Sequence, residues 1–320
     1  MRGGAERVVA LSGGVGGAKL ALGLHRLVGE GGLAIIANTG DDFVHHGLHI
    51  SPDVDTLIYT LAGLNNRELG WGREGETWSY MEACAELGLE TWFRLGDHDL
   101  AVHVLRTLRL KEGATLSEVT AELCARFGLP GLIWPMSDDP VSTMVETDQG
   151  VLPFQEYFVR HRCAPVVRAV HYRGAERARP SGRFLTALRD PGPGAVVVCP
   201  SNPFLSILPI LSLQGVREAL GELRAPLVVV SPVVGGEAIK GPTAKMMREL
   251  GMDSGVEAIA ALYADLADGL VIDAADAALA PVIERSGIPV LVTDTVMHTL
   301  QDRIDLAAAT LRFAATLERG

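Results

Sequence analysis

Short unbroken apolar runs alternate along the chain with stretches of helical spacing. Val8–Leu11 is ended by Ser12-Gly13-Gly14-Val15-Gly16-Gly17, and Ala18–Leu27 then carries Leu20, Leu22, Leu24 and Leu27, which predicts strand, glycine turn, helix. Leu33–Ala37 is a second run, stopped by Asn38-Thr39-Gly40-Asp41-Asp42. Runs without polar alternation suit strands covered on both faces, as in a parallel sheet. The style returns at Ala195–Cys199, Leu227–Val230, Gly269–Ile272 and Val290–Thr293, with helical patterns at Ile210–Leu223, Val256–Leu266, Ala275–Arg285 and Leu306–Leu317. The pattern predicts an α/β fold built on a doubly wound, Rossmann-like parallel sheet whose ligand site lies where the strands end.

The middle of the chain reads differently. Trp78–Leu87, Leu100–Leu108 and Ser117–Phe127 are helix-like, whereas Val141–Glu146, Phe154–Val159 and Val166–Tyr172 are rich in β-branched and aromatic residues. Pro191-Gly192-Pro193-Gly194 breaks the chain just before a core-style strand resumes. The expected organisation is a Rossmann-like core from residues 1–56 and 191–320, with a mixed α/β insertion domain over 57–190.

Composition narrows the function classes. Of 320 residues, 48% are hydrophobic, enough for a full core, and 28 Lys plus Arg against 39 Asp plus Glu give a net charge of −11. A surface this acidic excludes non-specific binding to nucleic acid or anionic membranes, so no nucleic-acid partner is expected. The four cysteines, Cys84, Cys124, Cys163 and Cys199, form no C-x-x-C pair, and neither a zinc ribbon nor a redox dithiol is encoded. No signal-peptide core follows the N-terminus and no run approaches the roughly 20 apolar residues of a membrane span. A cytoplasmic protein without a membrane partner is expected, and a homodimer.

Chemistry concentrates at the predicted strand ends. Gly13, Gly14, Gly16 and Gly17 between a strand and a helix allow backbone N–H groups and the helix dipole to face a phosphate, with Lys19 close by. A tight turn needed for packing is the alternative. The segment is not a P-loop, because Ala18-Lys19-Leu20 replaces Gly-Lys-Ser/Thr, and the dinucleotide fingerprint fails at Lys19 and at Asn38. Asp41, Asp42, Asp53 and Asp55 place four carboxylates within fifteen positions, the donor set that Mg²⁺-assisted phosphoryl transfer requires. Capping of turns is the alternative, with His45, His46 and His49 solvated. Arg94 and Asp97 in a glycine-containing loop are candidates for polar ligand groups, while Asp99 has a sufficient reason as a helix N-cap.

Pro135-Met136-Ser137-Asp138-Asp139-Pro140-Val141-Ser142-Thr143 reads equally as a turn or a ligand loop. Ser201 and Asn202 follow one strand, and Lys240 and Lys245 follow another, on the edge that carries the glycine turn. The nucleophile signatures G-x-S-x-G and H-E-x-x-H are absent, so covalent catalysis has no support.

Taken together, Leu11–Lys19, Asn38–Asp42, Ile50–Thr56, Leu95–Asp99, Pro135–Thr143, Phe154–Tyr157, Pro200–Ile207 and Ser231–Lys245 resemble the 2-phospho-L-lactate transferase family of coenzyme F420 biosynthesis. Trp71-Gly72 and Glu76-Thr77-Trp78 look like its bacterial branch, which uses a phosphoenolpyruvyl donor. The resemblance implies a guanosine diphosphate donor bearing a lactyl or enolpyruvyl group, and the deazaflavin Fo as acceptor. It also implies attack by the terminal ribityl hydroxyl and release of GMP. It implies Fo contacts at Asp55 and Arg94, with Asp55 alternatively the base for the hydroxyl. Donor contacts are implied at Gly13, Gly14, Gly16, Gly17, Lys19, Ser201, Asn202 and Lys240. Mg²⁺ is implied at Asp41, Asp42 and Asp53, with Asp42 also catalytic. His98 departs from the Arg of many relatives in Gly-Asp-Arg-Asp. A nucleotide-sugar-binding regulator of the gluconeogenesis-factor family shares the glycine start and is the alternative. A nicotinamide dehydrogenase is disfavoured by the failed fingerprint.

Overall fold

A computed structural model describes residues 7–29, 31–66, 70–189, 193–238 and 241–317. Strand β1 (Val8–Ser12) turns into helix α1 (Gly14–Val28) and the chain returns as β2 (Leu33–Ala37). A hairpin of β3 (Phe43–His45) and β4 (Leu48–Ile50) leads to α2 (Pro52–Leu61). Helices α3 (Ser79–Glu86), α4 (Asp97–Lys111) and α5 (Leu116–Arg126) precede β5 (Ile133–Pro135). The antiparallel strands β6 (Ser142–Thr147), β7 (Gly150–Pro153) and β8 (Val167–Arg173) follow, then α6 (Gly182–Arg189). The remainder alternates β9 (Ala195–Val198), α7 (Leu208–Leu211), α8 (Val216–Gly221) and β10 (Leu227–Val230). A small ribbon of β11 (Val233–Val234) and β12 (Glu237–Ala238) precedes α9 (Thr243–Glu249) and α10 (Val256–Leu262). The last elements are β13 (Gly269–Asp273), α11 (Ala280–Glu284), β14 (Val290–Thr293) and α12 (Leu300–Ala314).

Seven strands form one sheet in the order β14-β13-β10-β9-β1-β2-β5, parallel throughout. Val8 pairs with Leu33 on one side and Ala195 on the other, so the two ends of the chain share one sheet, as expected. Alternate residues of each strand serve opposite layers. Val8 and Ala10 pack with α1, α2, α5 and α12, while Val9 and Leu11 pack with α8, α9 and α10. Burial on both faces is why these strands show no polar alternation. Each large apolar side chain buried this way contributes roughly 1.5–3 kcal/mol.

The strand order grows outward from β1 in both directions, and the direction reverses between β1 and β9. Loops on the two sides of such a reversal diverge and leave a crevice beyond the strand ends. Ile133–Pro135, inside the span expected for the insertion, is the edge strand of this core sheet, paired to β2. Three residues are too few for periodicity to announce a strand. Phe154–Val159 is not β-like: Glu156–Arg160 is a π-helical turn, with buried Phe154 and Tyr157 three apart and Phe154 stacked on Phe158 at 5.3 Å. That spacing fits one face of a helix, not one face of a strand. Among the described residues no helix is long and apolar enough to cross a membrane.

Candidate active site

The glycine turn owes its composition to close approach. Gly14 sits at φ 62°, a backbone region that disfavours other residues. A Cβ on Gly13 would meet the Asp53 carboxylate and Ser206, one on Gly16 the Pro200 carbonyl, and one on Gly17 the Ser201 and Ser12 hydroxyls. The glycines thus let the ends of β1 and β9 and the start of α2 converge at the reversal of strand order. Ser201 Oγ donates to the Gly13 carbonyl (2.7 Å) and accepts from the Gly13 amide (3.2 Å). Asn202 Oδ1 accepts from Phe204 and Leu205 N–H at 3.0 and 3.2 Å, while its buried Nδ2 has no hydrogen-bond partner among the described residues. Gly13, Gly14, Gly16, Gly17, Ser201 and Asn202 are therefore brought together. Lys19 donates to the Met297 carbonyl at 2.8 Å, and Lys240 lies outside the described residues. Lys245 is held by Glu249 (2.6 Å) and the Pro165 carbonyl (2.9 Å), which leaves it a structural tie between α9 and the antiparallel sheet.

Helix α1 has no acidic residue in its first turn, yet its Gly14 N–H donates to Asp53 Oδ1 at 2.5 Å. Asp53 Oδ2 accepts from Asn38 Nδ2 (2.9 Å), and the same amide nitrogen faces Asp41 Oδ1 (3.1 Å) and the Leu205 carbonyl (3.1 Å). Three acceptors share two hydrogens. Gln155 reaches in from the antiparallel side to donate to Asp41 Oδ2 at 3.2 Å. Asp42 Oδ2 accepts from Ser51 Oγ (2.6 Å) and His49 Nε2 (3.1 Å), while its buried Oδ1 has no hydrogen-bond partner among the described residues.

Burial, then repulsion from Asp53 and Asp42, pushes the Asp41 carboxyl well above the ordinary carboxylate range. Burial lifts Asp53 to about 6, opposed by its Asn38 and Gly14 hydrogen bonds and reinforced by Asp42. Buried carboxylates short of positive charge, one with an orphaned oxygen, fit a hard divalent cation such as Mg²⁺. Among the described residues, Asp41, Asp42 and Asp53 are not drawn within 4.8 Å of one another; ligand atoms that close are offered by Asp55, Asp99 and His103, where a guanidinium already supplies the positive charge.

That guanidinium belongs to Arg106, which is fully buried. Its Nη2 binds Asp55 Oδ1, and its Nη1 binds Asp55 Oδ2 (3.1 Å), approaches His103 Nδ1 (3.3 Å) and reaches the His49 carbonyl at 3.5 Å. His103 Nε2 lies 3.3 Å from Asp99 Oδ2, and Tyr59 donates to Asp99 Oδ1 at 2.5 Å. Sequence reading missed Arg106, although Asp99, His103 and Arg106 at i, i+4 and i+7 mark one stripe of α4. Asp99 is not an N-cap: Gly96 holds that position and Asp99 sits inside the first turn.

Arg94 is exposed, with its guanidinium 3.9 Å from the centroid of the Trp78 ring. Among the described residues no hydrogen bond or ion pair joins it to Asp55. Its loop is fixed by mutual capping. Glu76 accepts from the His98 and Asp99 amides (2.7 and 2.9 Å), and Asp97 accepts from those of Ser79 and Tyr80 (3.1 and 3.0 Å). Asp97 is thereby committed to the start of α3. Asp138 and Asp139 are likewise tied to Ser117 and to the Arg179 amide.

Residues 8–301 match the family model described as 2-phospho-L-lactate transferase CofD. The chain is 39% identical to a phosphoenolpyruvate transferase of Kitasatospora aureofaciens, covering 98% of this chain and 99% of that one. It is 37% identical to a 2-phospho-L-lactate transferase of Methanosarcina mazei, over 94% and 98%. A crystal structure of a UPF0052-family protein from Bacillus halodurans shares the fold, with TM-score 0.61 and 15% identity over 96% of this chain and 98% of that one. The glycine turn, the carboxylate cluster and the matched motifs thus lie on one scaffold, and the chain belongs to the 2-phospho-L-lactate transferase family.

Proposed function

We propose that this chain moves a phospholactyl or phosphoenolpyruvyl group from a guanosine diphosphate donor to the terminal ribityl hydroxyl of Fo, as a step of coenzyme F420 biosynthesis. A bond forms between the ribityl oxygen and the distal phosphorus; the bond from that phosphorus to the bridging oxygen breaks, and GMP leaves. One observation carries the reading. At the reversal of strand order, the glycine turn of α1 meets buried Asp53, which shares the Asn38 amide with buried Asp41, and the adjacent Asp42 keeps an oxygen unpartnered among the described residues. Family membership supports the nature of the group transferred.

The residues divide the work. The N-terminus of α1 presents its partial positive charge to the diphosphate, and the buried Asn202 Nδ2 is a donor for a phosphate oxygen. Asp41, Asp42 and Asp53 would hold Mg²⁺, which when bound offsets charge developing on the leaving phosphate. Ser51 and His49 hold one oxygen of Asp42, so the other keeps a fixed direction for a cation or the hydroxyl proton. Asp55 and Arg94 contact the acceptor, the carboxylate accepting a hydrogen bond and the planar guanidinium stacking or donating to ring carbonyls. Four free thiols fit a reducing cytoplasm.

The test is direct. The protein is incubated with Fo, Mg²⁺ and each guanosine diphosphate donor, and GMP release and product mass are followed. Release of GMP with formation of the Fo phosphodiester supports the reading. Binding of nucleotide without turnover for any donor overturns it in favour of a regulator.

A further inference from the structure

Asp55 and Tyr59 stand at i and i+4 on α2, facing Asp99, His103 and Arg106 at i, i+4 and i+7 on α4. The contacts between these stripes run in series from His103 to Asp55. Arg106 is always a donor, and His103 Nδ1, 3.3 Å from its Nη1, faces it as a ring nitrogen able to accept. With Nδ1 facing Arg106, Nε2 is the ring nitrogen on the side of Asp99, 3.3 Å from its Oδ2 without completing a hydrogen bond among the described residues. Tyr59 donates to the other Asp99 oxygen. The series ends on Asp55, whose two oxygens are both taken by the Arg106 fork.

This arrangement is poorly explained as a stabilising feature. Arg106 is fully buried and its Nε has no hydrogen-bond partner among the described residues. Leaving such a donor unsatisfied costs about 1–3 kcal/mol, and a buried ion pair is often matched by an apolar pair of similar volume. A fork with two parallel bonds does something an apolar pair cannot. It fixes the plane and rotamer of the carboxylate it holds. Only 6% of the Asp55 side-chain surface stays accessible, so that orientation decides what the carboxylate meets.

We propose that Arg106 and His103 are positioning residues: His103 sets the guanidinium, and the guanidinium sets Asp55 as a fixed hydrogen-bond acceptor for the deazaflavin substrate. The inference rests on the reading of Asp55 as an acceptor contact. Neither residue touches substrate; both act through Asp55.

The test compares four single variants by Fo binding, by KM and kcat for Fo, and by GDP affinity from calorimetry. Arg106→Lys keeps the charge and loses the fork. It is expected to raise the KM for Fo at least tenfold, to lower kcat less, and to leave GDP affinity within twofold. His103→Asn places an amide where Nδ1 was and keeps a partner for Arg106; His103→Gln places one where Nε2 was and keeps only the Asp99 contact. Asn is therefore expected to hold the KM for Fo near wild type, and Gln to raise it severalfold at similar melting temperature. The histidine pair decides the matter even if Arg106→Lys does not fold. Equal KM values for the two histidine variants, or a folded Arg106→Lys with unchanged KM, overturn the proposal. Asp55→Asn separates the two levels. If it leaves Fo binding unchanged, the acceptor reading itself falls; if it weakens Fo while the α4 variants do not, only the positioning inference falls.

Discussion

Replacing Asp53 by Asn in metal-free protein should raise stability, although it removes a hydrogen-bonded buried residue. Burial lifts the folded carboxyl from 3.8 to about 6. Above pH 6 the folded state therefore carries an ionised group shifted by about 2 units, which costs about 3 kcal/mol at 1.36 kcal/mol per unit. The Gly14 N–H keeps its acceptor in Asn, but Asn38 Nδ2 loses one and the Ser206 hydroxyl a longer contact of 3.4 Å, together a cost of about 1 kcal/mol. The net gain is about 2 kcal/mol. At an unfolding entropy of about 2.1 cal/mol/K per residue, this corresponds to about 3 °C in Tm for a chain of this length.

The sign follows from linkage: a carboxyl raised on folding contributes stability below its unfolded pKa and loses it as pH rises through about 6. The assay is thermal melting of wild type and Asp53→Asn in EDTA from pH 4 to 8, read as the difference between the two. The difference should be smallest at pH 4, grow through pH 6 and then level off. With Mg²⁺ at about 100 times its Kd, wild type gains about 2.7 kcal/mol and the order of the two proteins reverses. An Asn variant that melts below wild type at pH 7.5 in EDTA refutes the reasoning, as does a difference independent of pH.

Four further outcomes are expected. Asp42→Asn should fold normally, lose the Mg²⁺-induced rise in Tm and reduce turnover by about 10²-fold or more, and full activity at limiting Mg²⁺ would contradict its role. His45, buried against Trp92 and Phe93, has its pKa lowered to about 4, mainly by burial, so its contribution to stability is lost as pH falls from 6.5 through 4. His45→Asn should flatten that acid limb, and an unchanged limb would assign it elsewhere. Gly16→Ala should destabilise by about 1–3 kcal/mol, because its Cβ meets the Pro200 carbonyl, and this is read from denaturant midpoints. Arg94→Ala should raise the KM for Fo with kcat and GDP affinity near wild type, since a contact present equally in ground and transition states changes binding alone. A loss of GDP affinity would move Arg94 to the donor side.

The alternation of apolar runs and helical stretches was sufficient to determine the strands β1, β2, β9, β10 and β13, because a strand buried on both faces writes its burial into consecutive residues, and the half-buried edge strand β14 keeps the same apolar run. It also located the segments at the strand ends, since glycine, proline and acidic residues interrupt that pattern where the backbone leaves the sheet. The motif resemblance named the family without any geometry. Tertiary structure alone decided what those segments do to one another. Ile133–Pro135 joins the core sheet through pairing with β2, a partner about a hundred residues away, and no local periodicity encodes it. The glycines that read as a phosphate cradle are also required so that Asp53, Pro200 and Ser201 can reach β1 and α1. Arg106 looks like one more charged residue on a helix until the fold sets it against Asp55, 51 positions earlier. Hydrophobic periodicity is a local property, fixed by the repeat of the backbone. The charge and direction of a buried side chain are set by whichever distant groups the fold places around it.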